Sequence, residues 1–347
     1  MALSAPPFTS SPSLICDWIE LKVLTTSHGK FRLGSLKRLW DKSREIEESD
    51  PEGVLIREEY TDSSGVSGPD DEVFMDSITG EIGERIEALG AAYPFEIDSR
   101  NRLCVIEPAS SGGFVYLFCL LLTYSNGREL LDGSWLPRVD NHVRDLFQAC
   151  STVAAAGEVR GHAISFGWPR PNHNPPFLQR LREVYRLFGE GIVVDRPAPG
   201  VSNFPKDEEI DVIAWRPRRD RTAGTEYMLG QVASGDNWMG KPLAGRPIAN
   251  FHRNWFTRCP ASVAKGYIFI PHAVPPIDSL GTRRERIDAI TVRYGTIIDR
   301  LRLPALTDEG VQFSMTESAV QVERQANLPE IREWVIEQIN SLKAATA

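Results

Sequence analysis

The 347-residue sequence predicts an α/β (α+β) fold: a mixed sheet flanked by helices, with a mostly helical region before it. Three observations lead there. Two short apolar runs, Ile210 to Trp215 and Tyr227 to Ala233, flank a polar, charged stretch and read as the strands of a hairpin. From Asp140 onward, segments of helical and strand character alternate as helix, strand, helix, strand, strand, helix, strand. Residues 1–135 carry mainly helical spacing and one small hairpin, and read as an accessory region before a domain over residues 136–347.

The elements follow in chain order. Residues 1–12 are a Ser/Pro-rich lead-in. Leu14 to Thr26 and Leu33 to Ile46 space Leu, Ile and Trp as helices do. Ser49 to Glu72 is acidic and rich in Gly, Ser, Pro and Asp, a loop with one candidate strand at Gly53 to Arg57. Asp76 to Leu89 reads as a helix, and Tyr93 to Asp98 with Arg102 to Ile106 as a hairpin. The cluster Ser110-Ser111-Gly112-Gly113 is placed to cap a buried helix over Phe114 to Tyr124. It lacks the lysine and spacing of a phosphate-binding loop, and no catalytic motif is legible in residues 1–130. Val143 to Ala156 and Phe177 to Phe188 are amphipathic helices on either side of a strand, His162 to Phe166. After the hairpin come a helix at Pro247 to Phe256 and a strand at Val263 to Ile270. A long helix over Thr282 to Leu303 and a C-terminal one over Leu328 to Lys343 complete the chain.

The formal net charge of −8 excludes a uniformly basic surface, so any nucleic-acid contact must use locally gathered basic residues or a partner. The five dispersed cysteines form no CxxC pair, which argues against a zinc knuckle and for reduced thiols, Cys150 and Cys259 being read as buried. The first residues lack the basic start and apolar core of a secretory leader. The longest apolar run, Phe114 to Tyr124, is too short to span a bilayer. The expectation is a cytoplasmic protein without membrane contact.

Each hairpin strand carries a polar residue that an apolar strand does not favour, Asp211 and Gln231. A buried carboxylate is costly without a partner, and a metal ion is one such partner. Asp211 is a metal ligand or a hydrogen-bonded strand-end aspartate, and Gln231 a ligand or an amide bridging strands. Arg216, Arg218, Arg219 and Arg221 crowd the turn between the strands, and Arg253 and Arg258 follow on the next helix. They suit phosphates, or form a solvated hairpin tip. Trp238 and Trp255 are stacking platforms or core residues, and Asp236, in the turn after the second strand, is an extra ligand candidate. The histidines have no partner at metal-ligand spacing.

An aspartate on one strand, a hairpin, then a strand with an acidic or amide residue, framed by helices, resembles the PD-(D/E)xK (restriction-endonuclease-like) nuclease superfamily. The resemblance spans residues 139–275. It implies a restriction-endonuclease-like sheet and metal-dependent cleavage of DNA. By this resemblance Asp211 and Gln231 are catalytic and, with the Val232 backbone carbonyl, ligands of Mg2+ or Mn2+. The motif's lysine falls on Ala233, so Lys206 or Lys241 is expected to supply the amine. On the preceding helix, Asp145 and Gln148 stand as ligand candidates. The expected function is a DNA endonuclease acting as an effector of a prokaryotic anti-phage or restriction system, with protein partners in a complex or as a homo-oligomer. The alternative is a catalytically inactive nuclease-fold subunit that binds nucleic acid or scaffolds such a complex.

Overall fold

Helix α1 (Pro12–Thr25) starts where the Ser11 hydroxyl accepts the Leu14 N–H and Pro12 opens the first turn. The computed structural model describes residues 3–8, 10–49, 71–125, 130–131, 139–171, 174–197, 199–202, 208–220, 222–276 and 282–346, with backbone alone at 41, 43–49, 71 and 236. The expected strand at Gly53 to Arg57 lies outside the described residues. Helices α2 (Leu33–Ser49) and α3 (Asp71–Leu89) follow, with strand β1 (Lys30–Arg32) before them. Strands β2 (Phe95–Ile97) and β3 (Arg102–Val105) form the expected hairpin, and β1 joins it in the order β1-β3-β2, antiparallel throughout. Helix α4 (Ser111–Tyr124) is buried along its length, with Ser110 as its cap.

The main sheet is mixed, and the protein is α+β. Its strands are β4 (His162–Ser165), β6 (Val212–Trp215), β7 (Tyr227–Val232), β9 (Ala264–Phe269) and β10 (Thr296–Ile298), in the spatial order β10-β9-β7-β6-β4. The β4, β6 and β7 neighbours run antiparallel, while β9 lies parallel to β7 and β10 parallel to β9. Helix α5 (Asn141–Val159) covers one face, where Val212, Ala214, Met228 and Phe269 point into a core shared with α1 and α4. Helices α6 (Phe177–Phe188) and α7 (Arg246–Trp255) cover the other face, over Ile164, Ile213, Trp215, Tyr227 and Leu229. A short ribbon of β5 (Ile192–Val193) and β8 (Phe256–Arg258) closes that side. The first core runs from Leu3 to Leu342, so apolar packing is continuous across residues 135 and 136. Among the described residues no helix is long and apolar enough to cross a membrane.

One expected element is corrected. The stretch from Thr282 to Leu303 is not one long helix but helix α8 (Arg283–Tyr294), strand β10 and the start of helix α9 (Leu303–Thr316). Gly295 ends α8 with a φ of 80°, and a Cβ there would lie 2.1 Å from the Gly266 carbonyl oxygen. The β-branched run Thr296-Ile297-Ile298 then pairs with Tyr267 to Phe269. Helix α9, unread in the sequence, crosses α5 so closely that a Cβ on Gly310 would lie 2.1 Å from the Val153 carbonyl oxygen. The chain ends in α10 (Leu328–Thr346).

Residues 1–130 hold a charge cluster that the sequence did not announce. Arg85 on α3 donates to Asp17 at 2.7 Å, to Glu20 at 2.8 Å and to the Ser13 carbonyl at 2.8 Å. Arg300, from the turn before α9, donates to the same Asp17 oxygen. The hydroxyls of Tyr93 and Tyr116 donate to Glu20, and that of Tyr124 to Asp17. Asp17, Glu20, Arg85 and Arg300 are all buried, so each charge depends on the others for the solvation it has lost. Burial alone would raise the Asp17 carboxyl, but Arg300 and Arg85 outweigh it and hold it down to about 2. Burial raises Glu20, and Arg85 offsets only part of that.

Asp17→Asn leaves the two guanidiniums undercompensated and is expected to cost about 3–5 kcal/mol in urea unfolding at neutral pH. The folded carboxyl lies below its unfolded value near 4, so its contribution is complete above that pH and is lost as pH falls toward 2. The stability gap between wild type and Asp17→Asn should therefore narrow across that window, and a constant gap contradicts the assignment.

Candidate metal centre

Asp211 sits immediately before β6, where three strand ends meet. Its N–H donates to the Gly230 carbonyl at 2.8 Å, and its own carbonyl accepts the N–H groups of Phe166 at 2.7 Å and Gly167 at 2.9 Å. Carboxylate Oδ2 accepts the Val232 N–H at 2.8 Å. The main chain and the carboxylate are thus tied to the ends of β4 and β7. The register of β6 on β7, Val212 to Gly230, sets Gln231 at the adjoining strand end.

A third residue reaches the same place from α5. A Cβ added to Gly167 would lie 2.5 Å from Asp211 Oδ1 and 2.6 and 2.7 Å from the Gln148 amide nitrogen and oxygen. Gly167 therefore leaves the space in which Asp211 and Gln148 converge. Gln148 donates through Nε2 to the Ser165 hydroxyl at 2.9 Å, which fixes the amide and leaves Oε1 as its acceptor. Ser165 is held in turn, because its N–H donates to Glu323 at 3.0 Å and Arg180 on α6 clamps both oxygens of that carboxylate at 2.6 and 2.7 Å.

Gln231 is 4% exposed, and its Oε1 has no hydrogen-bond partner among the described residues. A buried amide oxygen without a donor loses its hydration with no return, and a cation is one group that restores it. Asp211 Oδ1, Gln148 Oε1 and Gln231 Oε1 are hard oxygen donors of the kind Mg2+ and Mn2+ take. Their chemistry suits a divalent cation, with Asp211 and Gln148 meeting beside Gly167, Gln231 at the adjoining strand end, and a single carboxylate among the three. Among the described residues no three His, Cys, Asp or Glu side chains gather as a metal site.

The other expected residues are distributed differently. Asp145 is not a ligand: both oxygens are taken by Arg324, one at 3.0 Å. Val232 enters the centre through its N–H. Ala233, at the motif lysine's position, packs among Trp238, Ile268, Ile270 and Val274. Lys206 and Arg221 lie outside the described residues, as does the side chain of Asp236. Lys241 follows the turn Asp236–Gly240, is half-buried, and forms no ion pair among the described residues.

The arginines are at the far end of the sheet. The loop after β6 carries Arg216, Arg218 and Arg219, five residues and more from Asp211, or roughly 17 Å of extended strand. Arg216 donates to the Val159 carbonyl at the end of α5 at 2.9 Å, and Arg218 to the Gly224 carbonyl within the turn at 2.5 Å, so one ties the hairpin to the helix and the other serves the turn itself. Arg253 is exposed on α7 and bonds Asn250 at 2.9 Å, and Arg258 pairs with Ile192 in the ribbon. Trp238 and Trp255 are buried core residues rather than stacking platforms, and Cys259 is exposed rather than buried. Ser165 and Gly167 went unread; the isolated glycine after a strand was the available signal.

Compared with known proteins, the chain matches no family model, no curated protein and no solved structure.

Adding a second carboxylate to this centre should strengthen cation binding. Gln231→Glu is expected to bind Mn2+ about tenfold more tightly than wild type, or about 1.4 kcal/mol, by titration calorimetry at neutral pH. Equal or weaker binding would place Gln231 outside the cation's reach.

Proposed function

We propose that this chain is a metal-dependent DNA endonuclease with a restriction-endonuclease-like core, acting as an effector of a prokaryotic anti-phage or restriction system. The observation that carries the reading is the convergence of Asp211 and Gln148 beside Gly167, with the buried Gln231 at the adjoining strand end. The topology supports it: helix α5, strand β4, helix α6, the antiparallel pair β6 and β7, helix α7, then β9 parallel to β7, with β4 antiparallel to β6 in the same sheet. A bound Mg2+ or Mn2+ would supply charge neutralisation at the phosphate and a water of lowered pKa. Asp211 holds its carboxylate fixed through Val232, while Gln148 and Gln231 contribute oxygen without adding charge. Ala233 supplies no proton-transferring group, so an amine must come from Lys206 or Lys241.

A second reading is favoured by one feature. The lysine position is filled by an alanine buried in an apolar cluster, and a single carboxylate serves the centre. A catalytically inactive subunit that keeps the fold and binds DNA would have this composition.

Plasmid and linear DNA, with Mg2+ or Mn2+, separate the two. The endonuclease reading predicts metal-dependent cleavage that Asp211→Ala reduces by at least about a hundredfold, equivalent to some 2.7 kcal/mol of barrier. Absence of cleavage, with DNA binding retained, would instead support the inactive subunit.

A further inference from the structure

Trp168 stands one residue beyond Gly167 and is 46% exposed, while Phe166 and Arg170 on either side are buried. Trp18, Trp215, Trp238 and Trp255 are all below a tenth exposed, so the exposure of this indole is not the habit of the chain's tryptophans. Nor is it a loose surface residue. The Arg170 guanidinium lies 5.5 Å from the indole centroid, and 5.4 Å from the rings of both Phe166 and Phe177. Arg170 is itself fixed, with its N–H on Asn174 Oδ1 at 3.0 Å and Nη1 on the Pro175 carbonyl at 3.3 Å. A cation seated under three rings thus braces an exposed indole at the end of β4, beside Asp211 and Gln148.

An exposed, braced indole next to a phosphate-directed cation site suits one ligand surface, the flat face of a nucleobase. Bases inside a duplex are stacked on each other, so only an unpaired or extruded base offers that face. We propose that Trp168 is a base-stacking residue, and that the substrate reaches the Asp211 centre with an unstacked base, as single-stranded DNA or at an unpaired position in a duplex. This rests on the nuclease reading above and adds the substrate class to it. The far-end arginines take no part in the contact.

The test is binding of a single-stranded oligonucleotide carrying 2-aminopurine, with Ca2+ present, by wild type, Trp168→Phe and Trp168→Ala. A fully paired duplex of the same sequence serves as the second probe. Stacking on the indole should quench the fluorophore in wild type and in part in Trp168→Phe. Trp168→Ala should lose the quench and bind the single strand roughly tenfold more weakly, with duplex binding changed less than about twofold. Equal loss for both probes, or no loss for either, overturns the stacking role while leaving the nuclease reading in place. Failure of wild type to bind either probe overturns both. Circular dichroism of the variants separates a lost contact from a lost fold.

Discussion

Asp211 is fixed by backbone on three sides, and the arrangement at this end of the sheet depends on that. Its N–H, its carbonyl and one carboxylate oxygen are spent on Gly230, on Phe166 and Gly167, and on Val232. Each such bond contributes about 1 kcal/mol net, more where a carboxylate accepts. Their larger effect is geometric: they leave Oδ1 as the atom turned toward Gly167 and Gln148. Ser165, held by Glu323 and Arg180, fixes the Gln148 amide from the other side. Asp211 and Gln148 are thus held by strand ends and a helix, which keeps the two side chains in register.

The hairpin that carries Asp211 also separates it from the arginines. Charges at the tip of β6 and β7 stand roughly 17 Å from the carboxylate, beyond a Debye length of about 8 Å at physiological salt. They stand too far off to act on charge beside Asp211, and two of them are already engaged with main-chain carbonyls, Arg216 with Val159 at the end of α5 and Arg218 with Gly224 in the turn. Sequence proximity to a motif suggested otherwise, because a hairpin turn is near both its strands in sequence and far from one end of each in space.

Much of the fold was legible. The 3.6-residue spacing of Leu178, Leu181, Val184, Tyr185 and Phe188 gave α6 its observed limits, and the Ser110 cap was readable from composition. The breaks came where a distant contact decides. Gly295 inside a helical pattern ends the helix at a positive φ, and the close approach of Gly266 leaves no room there for a Cβ. Asp17 and Glu20 look like a solvated helix face, and their partners Arg85 and Arg300 stand far along the chain. At the centre, Asp211 and Gln231 were read from their polarity in apolar strands. Gln148 could not be separated from Asp145, three residues away on the same helix, until Arg324 was seen to take Asp145. Gly167 offered only the signal of an isolated glycine after a strand, Trp168 none, and their places follow from how β4 ends.

We propose that Asp211, Gln148 and Gln231 share one cation. A crystal soaked in Mn2+, with anomalous scattering measured at the manganese edge, addresses it directly. An anomalous peak is expected within coordinating distance of Asp211 Oδ1 and the Gln231 amide oxygen, on the Gly167 side of the carboxylate. Well-ordered density for these side chains with no peak between them, or with Gln231 bonded to a protein donor instead, would contradict it.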